Sequence, residues 1–131
     1  MAEASRAHGV IQVESHHTVS ETLDRLENLL RERGVKIFAR IDQQREAEAV
    51  GLTLRPTELL IFGNPKAGTP IMDSVPSITI DLPLKVAAWQ REDGTTVIAY
   101  SGAEYLRSRH GLTPEQAQKL DVSALVELAR N

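Results

Sequence analysis

Glu58-Leu59-Leu60-Ile61-Phe62 is a nearly unbroken apolar run, and Gly63-Asn64-Pro65 closes it. A run this short, without polar alternation, reads as a central strand covered on both faces rather than as a helix. Such a strand needs paired neighbours at both edges and side chains packed on its faces, so the chain has to build a sheet around it. At 131 residues that sheet belongs to one domain. A chain of this size buries roughly two thirds of its unfolded surface, which suffices for a single core.

The segments on either side supply the rest of the sheet and its cover. In Gly9–Ser15, Val10, Gln12 and Glu14 alternate with Ile11 and Val13, the pattern of a short strand. Thr18-x-x-Glu21 is a capping box that opens a helix to Arg33. Val19, Leu23, Leu26 and Leu30 form its apolar stripe, and Gly34 stops it. Glu21/Arg25 and Glu27/Arg31 stand in the favourable i,i+4 order. Val35–Asp42 is a strand with Val35, Ile37, Ala39 and Ile41 on one face and Lys36, Phe38, Arg40 and Asp42 on the other. A short helix of good helix formers, Gln43–Val50, ends at Gly51.

Past the apolar run, Thr69-Pro70 has the form of an N-cap with proline at the first helical position, predicting a short helix through Met72 to Val75. Pro76–Leu82, bracketed by prolines, is read as irregular. Asp93-Gly94 between two strand-like runs signals a hairpin. A two-residue turn sets Glu92 opposite Thr95, Trp89 opposite Ile98 and Ala87 opposite Tyr100. Ser101-x-x-Glu104 reads as a second capping box, opening a helix that Gly111 closes. Thr113-Pro114-x-Gln116 and then Asp121 or Ser123 start two more. The predicted architecture is α+β: a largely antiparallel sheet covered by helices. Residues 1–7 form an expected flexible tail, and 8–131 the single domain.

Composition excludes several function classes. A formal charge of -3 argues against a nucleic-acid binder, which would carry a basic stripe. There is no cysteine, hence no disulfide, thiol nucleophile or Cys zinc site. The histidines show no metal-binding spacing, so neither a metal nor a cofactor is expected. No apolar run approaches the ~20 residues of a membrane span. The opening residues lack the hydrophobic core of a signal peptide. The expectation is a soluble, cytoplasmic protein without membrane or nucleic-acid partners.

Several blocks together resemble a known family. Phe38-Ala39-Arg40-Ile41-Asp42, Leu60-Ile61-Phe62-Gly63-Asn64-Pro65-Lys66-x-Gly68-Thr69, Asp81-Leu82-Pro83-Leu84-Lys85-Val86, Tyr100 and Arg109-His110-Gly111-Leu112 resemble the domain of unknown function 302 family over about residues 8 to 112. The resemblance implies a compact α+β domain similar to the TATA-binding-protein-like fold, usually a homodimer, with no established activity. Many members look like Ile-Asp-His after the second strand, where this chain has Gln43.

The loop after the apolar run is the strongest candidate site. Gly63-x-x-x-x-Gly68-Thr69 lacks the lysine directly before the hydroxyl residue that a phosphate loop requires, so nucleotide hydrolysis is rejected. Free amides at a helix start beside Lys66 still favour a small anion, phosphate or carboxylate, on Gly63, Asn64, Lys66, Gly68 and Thr69. The same residues also satisfy a plain tight turn with a solvated lysine. Asp42, Asp81 and Tyr100 are expected near Lys66, either as an acid–base site or as an ion pair at a rim. His110 is assigned to the helix dipole, and Ser101, without a nucleophile elbow, to capping. Three readings follow: a homodimeric small-ligand (anion) binding or assembly module, an enzyme using Asp42, Lys66 and Tyr100, or a purely structural domain.

Overall fold

A computed structural model describes residues 2–4 and 8–131. Its centre is one sheet in the order β1-β2-β6-β5-β4-β3, with every neighbouring pair antiparallel. The strands are β1 (Ala2–Ala4), β2 (Val10–Ser15), β3 (Lys36–Asp42), β4 (Thr57–Gly63), β5 (Leu84–Gln90) and β6 (Thr96–Ser101). The helices are α1 (Val19–Glu32), α2 (Gln43–Ala49), α3 (Pro65–Ser74), α4 (Ala103–His110), α5 (Pro114–Gln118) and α6 (Ser123–Arg130), with a 3-10 helix at Pro76–Ile80. The fold is α+β, as its pattern predicts. Within the predicted tail, Ala2–Ala4 pair with β2. They satisfy backbone groups that an edge strand leaves unpaired. Residues 1 and 5–7 lie outside the described residues.

α1 forms because its cap and its stripe agree. Thr18 Oγ1 accepts from Glu21 N at 3.1 Å, and Glu21 Oε1 accepts from Thr18 N at 3.1 Å. Val19, Leu23, Leu26 and Leu30 are buried against Val13, Leu60, Phe62, Val86 and Ile98 of the sheet. Each such side chain contributes about 1.5–3 kcal/mol when fully buried. Glu27 and Arg31 pair at 2.9 Å. Arg25 instead caps α6, donating to the Ala129 and Leu128 carbonyls at 2.9 and 3.2 Å. Arg130 donates to the Glu14 carbonyl at 2.7 Å, fastening the last helix to β2. A second apolar cluster, Ile71, Ile78, Leu106, Leu112 and Leu120, joins α3, the 3-10 helix and the α4–α5 region.

Four local expectations are corrected. The apolar run is covered on one face only: Leu60 and Phe62 are buried in the core, while Leu59 and Ile61 are half-buried on the opposite face. Antiparallel strands lack the crossover helices that would cover that second face. In β3 the pairing shifts between Ile37 and Ala39, so the alternation breaks at Phe38. This bulge places Arg40 opposite Leu60, on the core face. The hairpin loop is three residues long, not two: Arg91 and Thr95 are bonded, and Gly94 has φ 92°. Trp89 therefore faces Val97, Ala88 faces Ile98 and Val86 faces Tyr100, one residue from the predicted register. Finally, Gly102 rather than Ser101 caps α4. Glu104 binds Arg107 instead of closing a box.

Candidate functional site

The turn after β4 is built differently from its prediction. Asn64, not Thr69, caps α3, with Pro65 at the first helical position. Asn64 Oδ1 accepts from Lys66 N at 3.0 Å, and the Asn64 carbonyl accepts from Ala67 N at 3.0 Å and Gly68 N at 2.8 Å. Pro65 has no N–H. The opening amides of α3 are thus bonded within the protein, and the bare donors expected for an anion are absent there. Thr69 and Pro70 lie inside the helix. Asn-Pro offers the same cap-and-proline chemistry five residues earlier, and a carboxamide caps as well as a hydroxyl.

The same turn borders an apolar pocket of about 250 Å³. Val35, Phe38, Phe62, Met72, Leu84 and Leu125 are among the apolar side chains of its wall, and Gly63, Asn64, Gly68 and Thr69 line its side along the turn and α3. Lys66 is exposed and is not part of the lining; Lys119 and Asp121, also exposed, are. Close approach at Gly68 is ordinary, since an added Cβ would stand 3.7 Å from Leu82 Cδ1.

The other predicted residues do not gather there. Asp42 pairs with Glu58, whereas Lys36 pairs with Gly63 at the far end of β4. Five residues at ~3.3 Å each separate those ends by about 17 Å. Asp42 caps α2, accepting from Arg45 N at 3.0 Å, and Gln43 is the exposed first residue of that helix. Tyr100 is buried on the core face beside Val86 and Ile11. Burial, and then the charges of Asp121 and Glu127, push its phenol above the ordinary value. It lines a second cavity of about 230 Å³ with Asp81, Lys85 and Leu106. No group of three or more metal-ligating side chains occurs among the described residues.

Asp81 meets other partners. Its Oδ2 lies 2.5 Å from His110 Nε2, and its Oδ1 lies 3.4 Å from Arg109 Nη1. The Ser77 hydroxyl is 2.8 Å from His110 Nδ1. His110 stands in the last turn of α4, as expected of a dipole partner, and its side chain is also buried and hydrogen-bonded, with 4% of it exposed. Sequence reasoning missed this chain of contacts because 29 residues separate Asp81 from His110. The available signal was that both fall in the blocks carrying the family resemblance.

The family model described as "Domain of unknown function DUF302" matches residues 11–126. The chain belongs to the DUF302 family. The crystal structure of an uncharacterised conserved DUF302 protein from Bacillus stearothermophilus superposes with a TM-score of 0.76 at 21% identity, covering 95% of this chain and 97% of that one. The chain is also 38% identical over 104 residues to "Fluoride-specific ion channel FluC 1" of Brucella suis, covering 79% of this DUF302 chain and 41% of that protein. A protein of the same name from Brucella abortus matches at 38% identity, with 38% of its length covered. The DUF302 chain thus spans about two fifths of the curated relatives it matches. No helix among its described residues is long and apolar enough to cross a membrane.

Proposed function

We propose that this DUF302 chain is a homodimeric module that binds a small, mostly apolar ligand without chemistry at that site. The carrying observation is the pocket of about 250 Å³ beside the Asn64 turn, walled by Val35, Phe38, Phe62, Met72, Leu84 and Leu125. A well-formed apolar cavity with a few polar groups at its edge is the usual form of a small-molecule site. An anionic group on the ligand would meet Lys119 at the solvent side, since the α3 amides are occupied. The Asp42, Lys66 and Tyr100 enzyme reading gains no support, because Asp42 stands at the opposite end of β4 from Lys66.

The sheet supports the dimer. Ala39, Ile41, Leu59, Ile61, Ala87 and Trp89 share the face away from α1, and all are half-buried. α2 touches β4 but buries none of its own side chains. Three strands ~4.8 Å apart and about five residues long give a footprint of roughly 240 Å². A standard interface needs about 800 Å² from each partner. Exposed Val50, Leu52 and Leu54, in the connection entering β4, supply further apolar area. In the channel relatives about three fifths of the chain lies outside the match, which fits an accessory binding domain beside another functional part.

The test is a thermal-shift panel of small aromatic and aliphatic carboxylates, their neutral counterparts, phosphate and fluoride, on wild type and Ala67→Phe. Stabilisation by apolar compounds that Ala67→Phe abolishes, with the unliganded Tm held, supports the module. Stabilisation by inorganic anions alone restores the original anion reading, and no response at all leaves the structural one. Sedimentation of Ile61→Lys tests the dimer: a wild type that is monomeric at micromolar concentration refutes it.

A further inference from the structure

We propose that Ser77, His110 and Asp81 form a second site, independent of the apolar pocket, at which Ser77 Oγ acts as a nucleophile toward small activated esters. The contacts run in one line: Ser77 Oγ to His110 Nδ1 at 2.8 Å, and His110 Nε2 to Asp81 Oδ2 at 2.5 Å. Ser77 is exposed, whereas the His110 side chain is 4% exposed and that of Asp81 20%. The nucleophile therefore faces solvent, and its base and the group that orients the base are withdrawn from it.

The tautomer follows from the partners. An ionised carboxylate only accepts hydrogen bonds, so in the neutral imidazole Asp81 fixes the proton on Nε2. Nδ1 is then left with a lone pair, and the Ser77 hydroxyl donates to it. That is the arrangement a general base needs for a serine nucleophile, with the two ring nitrogens exchanged relative to the familiar protease order. The second Asp81 oxygen is held by Arg109 Nη1 at 3.4 Å, and that nitrogen also lies 3.3 Å from the Tyr105 hydroxyl. The fold fixes the spacing: Ser77 sits in the 3-10 helix, Asp81 directly follows it, and His110 ends α4. Ile78 and Leu106, both at 0% exposure, lock these two elements together in one apolar cluster. A tether between the elements needs only the His110–Asp81 pair. It does not require that the remaining ring nitrogen be aimed at a surface hydroxyl.

The step is acyl transfer. Ser77 Oγ forms a bond to the ester carbonyl carbon, its proton passes to His110 Nδ1, and the C–O bond to the leaving alcohol breaks as His110 returns that proton to it. Water then cleaves the acyl-serine by the same route, releasing the acid. Because Ser77 is exposed, the substrate is a small or flexible ester arriving from solvent.

The test uses the full chain with a fluorophosphonate probe, which forms an Oγ–P bond and expels fluoride, followed by intact mass and peptide mapping. p-Nitrophenyl acetate turnover is measured in parallel. Wild type should gain one adduct, on the peptide bearing Ser77, and Ser77→Ala none. Asp81→Asn should label about 10²- to 10⁴-fold more slowly with an unchanged circular dichroism spectrum, and Asp81→Glu should recover part of the rate. Asp81 is a positioning residue, so nitrogen NMR of His110 gives the independent readout: the Nε2–H form in wild type and a mixture in Asp81→Asn. An unlabelled wild type, equal labelling of Ser77→Ala through Ser74 or Ser108, or an Asp81→Asn rate equal to wild type would each overturn the proposal. Ligand binding in the apolar pocket stands or falls separately, since Ser77 does not line it.

Discussion

Removing the Arg40 guanidinium tests how the helix layer is held to the sheet. The β3 bulge turns Arg40 toward α1. There its Nε donates to Glu58 at 2.8 Å, Nη1 to Asp24 at 2.6 Å and Nη2 to the Ser20 carbonyl at 3.0 Å. Burial draws this guanidinium down, and the hydrogen bonds to Asp24 and then Glu58 more than offset it, so the net direction is up. Asp24 is 60% exposed, so that pair is worth under ~1 kcal/mol. Glu58 is only 13% exposed. A hydrogen bond to a charged group there contributes about 1.5–3 kcal/mol, and the abandoned carboxylate adds its own desolvation. Arg40→Met, which keeps most of the stem, should therefore lose about 3 kcal/mol, near 10 °C in Tm for a chain of this size. Urea unfolding measures it as a lower midpoint at unchanged slope. In a double-mutant cycle, Glu58→Gln should cost less in the Arg40→Met background than alone. A loss below 1 kcal/mol, or strict additivity, would refute the reasoning. Because Phe38, at the same bulge, lines the apolar pocket, the variant should also weaken any ligand found for it.

Two further outcomes follow from the site. Gly68 lies within α3 and its Cβ position is unobstructed, so Gly68→Ala should stabilise by about 0.5–1 kcal/mol, read as a higher urea midpoint. Tyr100 is held above its ordinary value of 10.0, by burial first and then by Asp121 and Glu127. The unfolded chain gives up that proton earlier than the folded one. Stability is therefore intact below about pH 10 and falls as the pH climbs from there through the folded value. Unfolding midpoints against pH should show the fall, and Tyr100→Phe should flatten it.

The residues themselves determined the elements wherever a local bond closes within a few positions. The Thr18–Glu21 and Thr113–Gln116 boxes, the α1 stripe and the Gly111 stop are all present as read. The tertiary structure decided what depends on partners distant in the chain. One bulge at Phe38 and one additional hairpin residue at Glu92–Gly94 reset which side chains share a face, because strand side chains alternate with period two. Asn64 and Thr69 offered equivalent caps, and the end of β4 at Gly63 selected the nearer one. Asp42 ends β3 and Lys66 follows the end of β4, yet antiparallel pairing sends those two ends apart. Asp81, His110 and Ser77 carry no local pattern at all. The apolar cluster that holds Ile78 and Leu106 brings their elements together, and a contact across some thirty residues leaves no periodicity to read.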